Sequence, residues 1–267
     1  MSLLQQQILL GRCLLAADVE AVISQTATET IADRDERVLL HELIRGSGFG
    51  FTRHVRRSWS MARTAGAAEL TLSALEREQR RRFVDDWVDA GGGNALDLMT
   101  EATGFLEFLS QRLPDPSHAL SICRMEQAAY RASAAAANFT APDPAILNDR
   151  DTMLRTGTEA ALVVFFSEPR RLFEALAAAA PLPRLDGCFL YLFAPGLPTP
   201  RRPASADEAT LWDRLSVPTA GHALCDDGFP KKLILDLLAT GAIEGANRLG
   251  TATACRVADS AVERASD

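Results

Sequence analysis

Apolar residues recur at helical spacing through the first half of this chain and give way to short Val- and Phe-rich runs in the second. Residues 3–25 place Leu or Ile every three or four positions, with no Gly or Pro after Gly11, which predicts one long amphipathic helix. Residues 33–45 predict a second, with Asp33, Asp35 and Glu36 at its positive end and Arg45 at its negative end. The stretch GSGFGF at 46–51 predicts a turn between helices. Its glycines match neither the dinucleotide nor the phosphate-loop spacing, and no strand precedes them. Residues 52–64, TRHVRRSWSMART, continue as a helix. Residues 71–90 form the next, with Thr71 or Ser73 as N-cap and Phe83 and Trp87 four apart on one face. GGGN at 91–94 stops it, and 95–113 turns Phe105, Phe108 and Leu109 inward. Residues 113–132, LPDPSHALSICRMEQAAYRA, begin with Asp115 as N-cap and Pro116 at the first helical position, where a missing N–H costs nothing. His118 then falls in the first turn, Leu120, Cys123 and Gln127 share one face, and Arg124 and Arg131 share another.

Beyond residue 140 the pattern changes. AALVVFF at 160–166 and CFLYLFA at 188–194 suit strands, and a helix from Pro169 to residue 180 separates them, so a small sheet covered by a helix is expected. Four prolines between 195 and 203 predict an exposed loop. Ser205 caps a helix reaching Leu215, and 226–241 is another, with Pro230 near its start and Gly241 at its stop. The expected fold class is α+β, mainly α: a domain of about six helices over 1–139, a linker over 140–158, a small α+β domain over 159–245 and a mobile tail over 246–267.

Composition narrows the function classes. At 267 residues and 47% hydrophobic, the chain is long enough for two domains with cores of their own. A net charge of −7 argues against a general nucleic-acid binder, whose affinity comes from many cations displacing counterions. Five scattered cysteines without a C-x-x-C indicate neither a disulfide framework nor a zinc knuckle, and fit a reducing cytoplasm. The run ILLGRCLLAA lacks a basic leader and is soon followed by Asp18 and Glu20, which reads as a helix and not as a signal peptide; no stretch is long enough for a membrane span.

Candidate chemistry is sparse. Nine Arg face three Glu between Arg45 and Arg82, and Arg53, Arg56, Arg57 and Arg63 surround Trp59. Such a cluster is a solvated face, a set of intramolecular pairs with acids such as Asp85, Asp86 or Glu101, or an anchor for an acidic partner. The four histidines occur singly, with no metal-ligand spacing, and no nucleophile motif is present. His118 reads either as a general base or ligand or as a hydrogen-bonded residue at a helix start, and Cys123 as a small buried hydrophobe. A chain with so few convergent ionisable groups is expected to be a binding subunit and not an enzyme, with no metal or cofactor of its own.

RRSWSMAR at 56–63 and LPDPSHALSICRMEQA at 113–128 resemble the MbnC family, partner subunits of the oxidative enzyme of methanobactin biosynthesis. The resemblance implies a heterodimer with MbnB, a multinuclear non-heme iron oxygenase of barrel fold that holds the iron. It also implies a ribosomally made precursor peptide, bound by its leader, whose core cysteines become oxazolone and thioamide groups in a copper-acquiring product. The present chain would recruit the leader and help close the iron subunit's site. Within that frame, Arg56, Arg57, Trp59 and Arg63, with His118, Arg124 and Glu126, are the candidates for the partner interface, since Trp and Arg are common anchors. An extended leader can add to a free sheet edge, which makes Leu162, Val164, Phe166, Phe189 and Tyr191 the candidate peptide contacts.

Two other readings stay open. One is a regulator that binds an acidic protein or nucleic acid through the 45–82 arginines and a winged-helix-like end at 229–243; the other is a stand-alone enzyme.

Overall fold

A computed structural model describes residues 3–16, 18–29, 34–149, 152–199 and 201–247. Among these the chain is α+β and mainly helical, with twelve α-helices and two three-stranded antiparallel sheets. Two compact units meet between Asp115 and Pro116. No helix among the described residues is long and apolar enough to cross a membrane.

The first unit is all helical: α1 (Leu3–Leu15), α2 (Val19–Glu29), α3 (Arg34–Arg45), α4 (Ser47–Ala67), α5 (Glu69–Ser73), α6 (Arg77–Asp89) and α7 (Leu98–Ser110). The single helix expected over 3–25 is two helices. Asp18 accepts a hydrogen bond from the Ala21 N–H at 3.0 Å and so starts α2, while Arg53 donates to the Ala16 carbonyl at 2.6 Å beyond the end of α1. Leu9, Cys13, Ile23 and Leu40 close a core between these helices, and Phe49 packs against it. That contact carries most of GSGFGF into α4, so the expected turn shrinks to Gly46 alone, in extended conformation before the helix. The helix expected over 71–90 is likewise divided into α5 and α6, and the two expected caps lie inside the short α5, Thr71 buried and Ser73 Oγ donating back to the Glu69 carbonyl at 2.8 Å. Asp97 caps α7 by accepting from Thr100 N at 2.8 Å. Asp33, one of the acids expected at the start of α3, lies outside the described residues.

The second unit starts with α8 (His118–Ala136), a 3-10 turn over Pro144–Asn148 and the strands β1 (Thr152–Thr156) and β2 (Ala161–Phe165). It continues through α9 (Pro169–Ala177), β3 (Phe189–Phe193), β4 (Arg201–Pro203), α10 (Ala206–Arg214), β5 (Thr219–Ala220), α11 (Gly221–Asp226), α12 (Lys231–Thr240) and β6 (Ile243–Asn247). The cap of α8 is Ser117, accepting from Leu120 N at 3.1 Å, so Asp115 and Pro116 precede the cap instead of forming it. α8 packs on β2 and β3 and therefore groups with the sheets, where the composition change had suggested a boundary near 139.

One sheet has the order β2–β3–β4 and the other β5–β1–β6. The expected strands pair antiparallel, Val163 opposite Tyr191. The proline-rich loop expected over 195–203 is wrong at its end, since Arg201–Pro203 pairs with β3. Pro203 is tolerated there because β4 is an edge strand. β6 reaches Asn247, so Ala246 and Asn247, expected in a mobile tail, pair with β1; the rest of that tail lies outside the described residues.

Leu154, Leu192, Leu211, Leu224, Ile234 and Ile243 form the core of this unit. α10 is stapled by a capping box. Ser205 Oγ accepts from Glu208 N at 3.2 Å and Glu208 Oε2 accepts from Ser205 N at 2.8 Å. Arg202 clamps the same carboxylate with both ends of its guanidinium. The Arg202 hydrogen bond, working against burial and aided by the Ser205 N–H, holds the Glu208 carboxyl below the usual carboxylate range. A depressed folded pKa adds stability that is fully present above the unfolded value of about 4.3 and disappears as pH falls through the lower folded value. Glu208→Gln is therefore expected to lower stability at neutral pH and to flatten the pH dependence of urea unfolding below about pH 4.3. An unchanged acid limb would contradict the clamp.

Candidate partner-binding surface

α4 carries the most distinctive surface of the first unit. Ser60, Thr64 and Ala67 are buried on its inner side. Facing outward at four-residue intervals are Phe51, Val55 and Trp59, which are 70%, 49% and 50% exposed. Such spacing makes a continuous stripe along one helix face, and a stripe of large apolar side chains in water is unusual. Arg56 and Arg63 lie over the Trp59 ring, their guanidinium carbons 5.6 and 5.2 Å from its centroid. Among the described residues neither guanidinium meets a carboxylate, and Arg63 Nε is buried with no hydrogen-bond partner.

The remaining candidate arginine behaves differently. Arg57 is half-buried and pairs with Asp85 at 2.8 Å and with Asp89, both on α6. Hydrogen bonding to Asp89, opposed by burial and supported by Asp85, raises its pKa. Asp85 was among the acids suggested by sequence, and Asp89 was not. Asp86 pairs within its own helix, 3.7 Å from Arg82. Arg57 thus ties α4 to α6, while Arg56 and Arg63 keep their charge for the outer face.

Glu101 takes a role that sequence reasoning missed. It binds no arginine and is buried at the first turn of α7. Its Oε1 accepts from Trp87 Nε1 at 2.6 Å, Gly93 N at 2.8 Å and Thr64 Oγ1 at 3.3 Å, and its Oε2 accepts from Ala95 N at 3.2 Å. The carboxylate thereby clips the GGGN loop onto α4 and α6. Gly92 and Gly93 are needed there: a Cβ on Gly92 would sit 2.1 Å from the Trp87 indole, and Gly93 has φ +78° with Ser60 Cβ 2.5 Å from where its own Cβ would stand. Asn94, held by the carbonyls of Gly91 and Gly92 at 3.1 and 3.0 Å, accepts from Arg56 Nη2 at 2.7 Å. A chain of contacts thus runs from Glu101 through the loop to Arg56 and the Trp59 ring. The signal in the sequence was a glycine triplet followed by Asn, seven residues before a lone Glu.

In the second unit the structure separates the other candidates. His118 and Glu126 are buried on α8 and Arg124 is exposed, so the three do not form one surface. His118 Nε2 lies 2.8 Å from the Pro183 carbonyl, to which it donates, and Nδ1 is buried without a partner. That geometry ties the start of α8 to the loop before β3. Burial, then the charge of Glu126, raises the pKa of Tyr130 one turn on. Cys123 is fully buried, as expected for a small hydrophobe. Among the described residues no three His, Cys, Asp or Glu side chains come together as a metal-binding group.

The five candidate peptide contacts also divide. Register puts Leu162 with Leu192 and Val164 with Leu190 on one face of the sheet, and Phe189 and Tyr191 with Phe165 and Val163 on the other. Phe166 lies just past β2, its carbonyl accepting from Gly187 N at 2.9 Å, and Phe189 is exposed, while the rest of both faces is largely covered. Leu162 packs on the core that includes Leu211 of α10, while Tyr191 stacks edge-on to Phe165, 5.7 Å away, and Arg201 reaches Phe173 of α9 and Met125 of α8. Among the described residues β2 pairs with β3 alone, so no strand pairs with its other edge. At the end of β2 a recess of about 420 Å³ is lined by Ser167, Arg171, Pro183, Arg184 and Phe189.

No protein-family model matches the chain, and no curated protein matches it in sequence.

Proposed function

We propose that this chain is a non-catalytic partner subunit that docks through the outer face of α4 onto an iron-dependent oxygenase and presents a precursor peptide to it. The observation that carries the reading is the half-exposed Trp59 ring held between Arg56 and Arg63, which have no carboxylate of their own among the described residues. A rigid indole flanked by guanidinium groups that meet no carboxylate among the described residues has the composition of an interface hot spot, and it fits an acidic, apolar patch on the other subunit. The motif at 56–63 that resembles MbnC contains this same Arg–Trp–Arg arrangement, which supports the oxidative, methanobactin-like assignment. On that assignment the iron would be held by the partner, and the leader would run as an added strand along β2, ending near the recess that Phe189 lines.

Co-expression with the genes that neighbour this one, followed by a search of the purified chain for an iron protein and a short cysteine-containing peptide, tests the reading. Copurification of an iron protein in a one-to-one complex is expected. Recovery of the chain alone, or with stoichiometric iron of its own, would overturn it. Use of the arginines on nucleic acid is checked in the same preparation by a salt titration of DNA binding, since phosphate contacts give a steep slope.

A further inference from the structure

The outer edge of β6 carries a groove that the proposed function leaves unused. A cavity of about 470 Å³ touches Ile243, Glu244 and Gly245 in succession. Neighbouring strand residues point to opposite faces, so a cavity that meets three in a row reaches the strand's backbone as well as its side chains. Among the described residues β6 pairs with β1 on its other side and no strand pairs with its outer edge, where N–H and C=O groups could meet a further strand.

The walls are apolar and firmly held. Phe139, Pro142, Ile146 and Pro195 line the groove. The Phe139 ring is wedged against Gly196 and Gly241, where an added Cβ would come within 2.4 and 2.5 Å of it. The only charged side chains in the lining are two carboxylates. Glu244 is engaged by Arg155 Nη2 at 2.7 Å and by Thr158 Oγ1 at 2.8 Å. Glu159 is exposed and has no ion pair among the described residues.

We propose that the β6 edge is a docking site for an extended cationic peptide segment, which adds as a fourth strand and lays a Lys or Arg side chain across the apolar wall with its charge beside Glu159. A long basic side chain suits both features, since its methylenes cover Phe139 and Pro142 while its head reaches the carboxylate. The main-chain bonds to β6 supply affinity and the single carboxylate supplies the charge preference. This site goes beyond the proposed function: it needs no partner subunit and uses neither the face of α4 nor the edge of β2.

The test uses the full chain, labelled with nitrogen-15, titrated separately with acetyl-Lys-Val-Lys-Val-Lys-Val-amide and its Glu-Val counterpart. Saturable amide shifts over residues 243–247 and around 157–159 are expected with the lysine peptide and much weaker ones with the glutamate peptide. Glu159→Gln, on an exposed side chain, is expected to weaken the lysine peptide about two- to five-fold, the scale of one partly exposed ion pair. Shifts confined to residues 161–165, equal affinity for the two peptides, no saturable shift, or an indifferent Glu159→Gln would each overturn the proposal. Shifts at 161–165 would at the same time favour β2 as the leader's edge, so failure here is distinguishable from failure of the proposed function.

Discussion

Glu101→Ala is expected to destabilise the chain by about 3–5 kcal/mol, because three N–H donors lose their acceptor at once and each buried unmet donor costs about 1–3 kcal/mol. The donors are Trp87 Nε1, Gly93 N and Ala95 N. They sit in a loop whose glycines already hold it against Trp87 and Ser60, so it has little room to turn them toward water. Glu101→Gln keeps one acceptor oxygen but turns an NH2 toward the donors, and a loss of about 1–2 kcal/mol is expected. Urea unfolding followed by circular dichroism measures both. A loss under about 1 kcal/mol for the alanine variant would mean that the loop is held by something else. The same variant should release Asn94 and hence Arg56, so it should also weaken partner association in proportion to the unfolding of the loop.

Trp59→Ala is expected to weaken association with the oxygenase subunit about 30- to 1000-fold, the range of a hot-spot truncation of about 2–4 kcal/mol, with little effect on the stability of the free chain. Stability should be spared because the ring is half-exposed and anchors no core. Arg63→Glu should act in the same direction by setting like charges against an acidic partner patch. Arg57→Ala provides the contrast: it breaks the bridge from α4 to Asp85 and Asp89, so it should lower stability more than it lowers affinity at a given folded fraction. Pull-down or surface-binding measurements on variants first shown to fold separate the two effects. Full-strength association of Trp59→Ala would remove α4 as the interface.

These predictions draw unequally on what the chain displays in one dimension. Helical spacing was enough for most of the first unit, because an amphipathic helix satisfies its backbone locally and needs only one apolar stripe. The stops were less legible. Asp18 divides the first expected helix by capping α2, and GSGFGF enters α4 because Phe49 finds a core to pack against. β1 and β6 went unseen, since TMLRT and IEGAN have no apolar alternation and their pairing joins Thr152 to Asn247. Strands of that kind are specified by a partner nearly a hundred residues away and not by their own pattern.

The candidate site divides along the same line. That Trp59 and its arginines share a helix face is a matter of spacing and was visible in RRSWSMAR. Which arginines are spent inside the fold and which remain for a partner depends on where α6 and the GGGN loop lie. Only the tertiary structure assigns Arg57 to Asp85 and Asp89 and leaves Arg56 and Arg63 on the indole. His118, Arg124 and Glu126 look alike as polar residues on one helix, yet burial puts the first and last inside and Arg124 outside. By itself the sequence determined the α+β class, the positions of most helices, the two strands of the first sheet that read as apolar runs, and the presence of an arginine–tryptophan face. The tertiary structure decided which charges are neutralised, which sheet faces are covered and which edges stay open. The physical reason is that local propensity acts through near neighbours along the chain, whereas charge pairing, burial and strand edges depend on segments that meet only in the folded state.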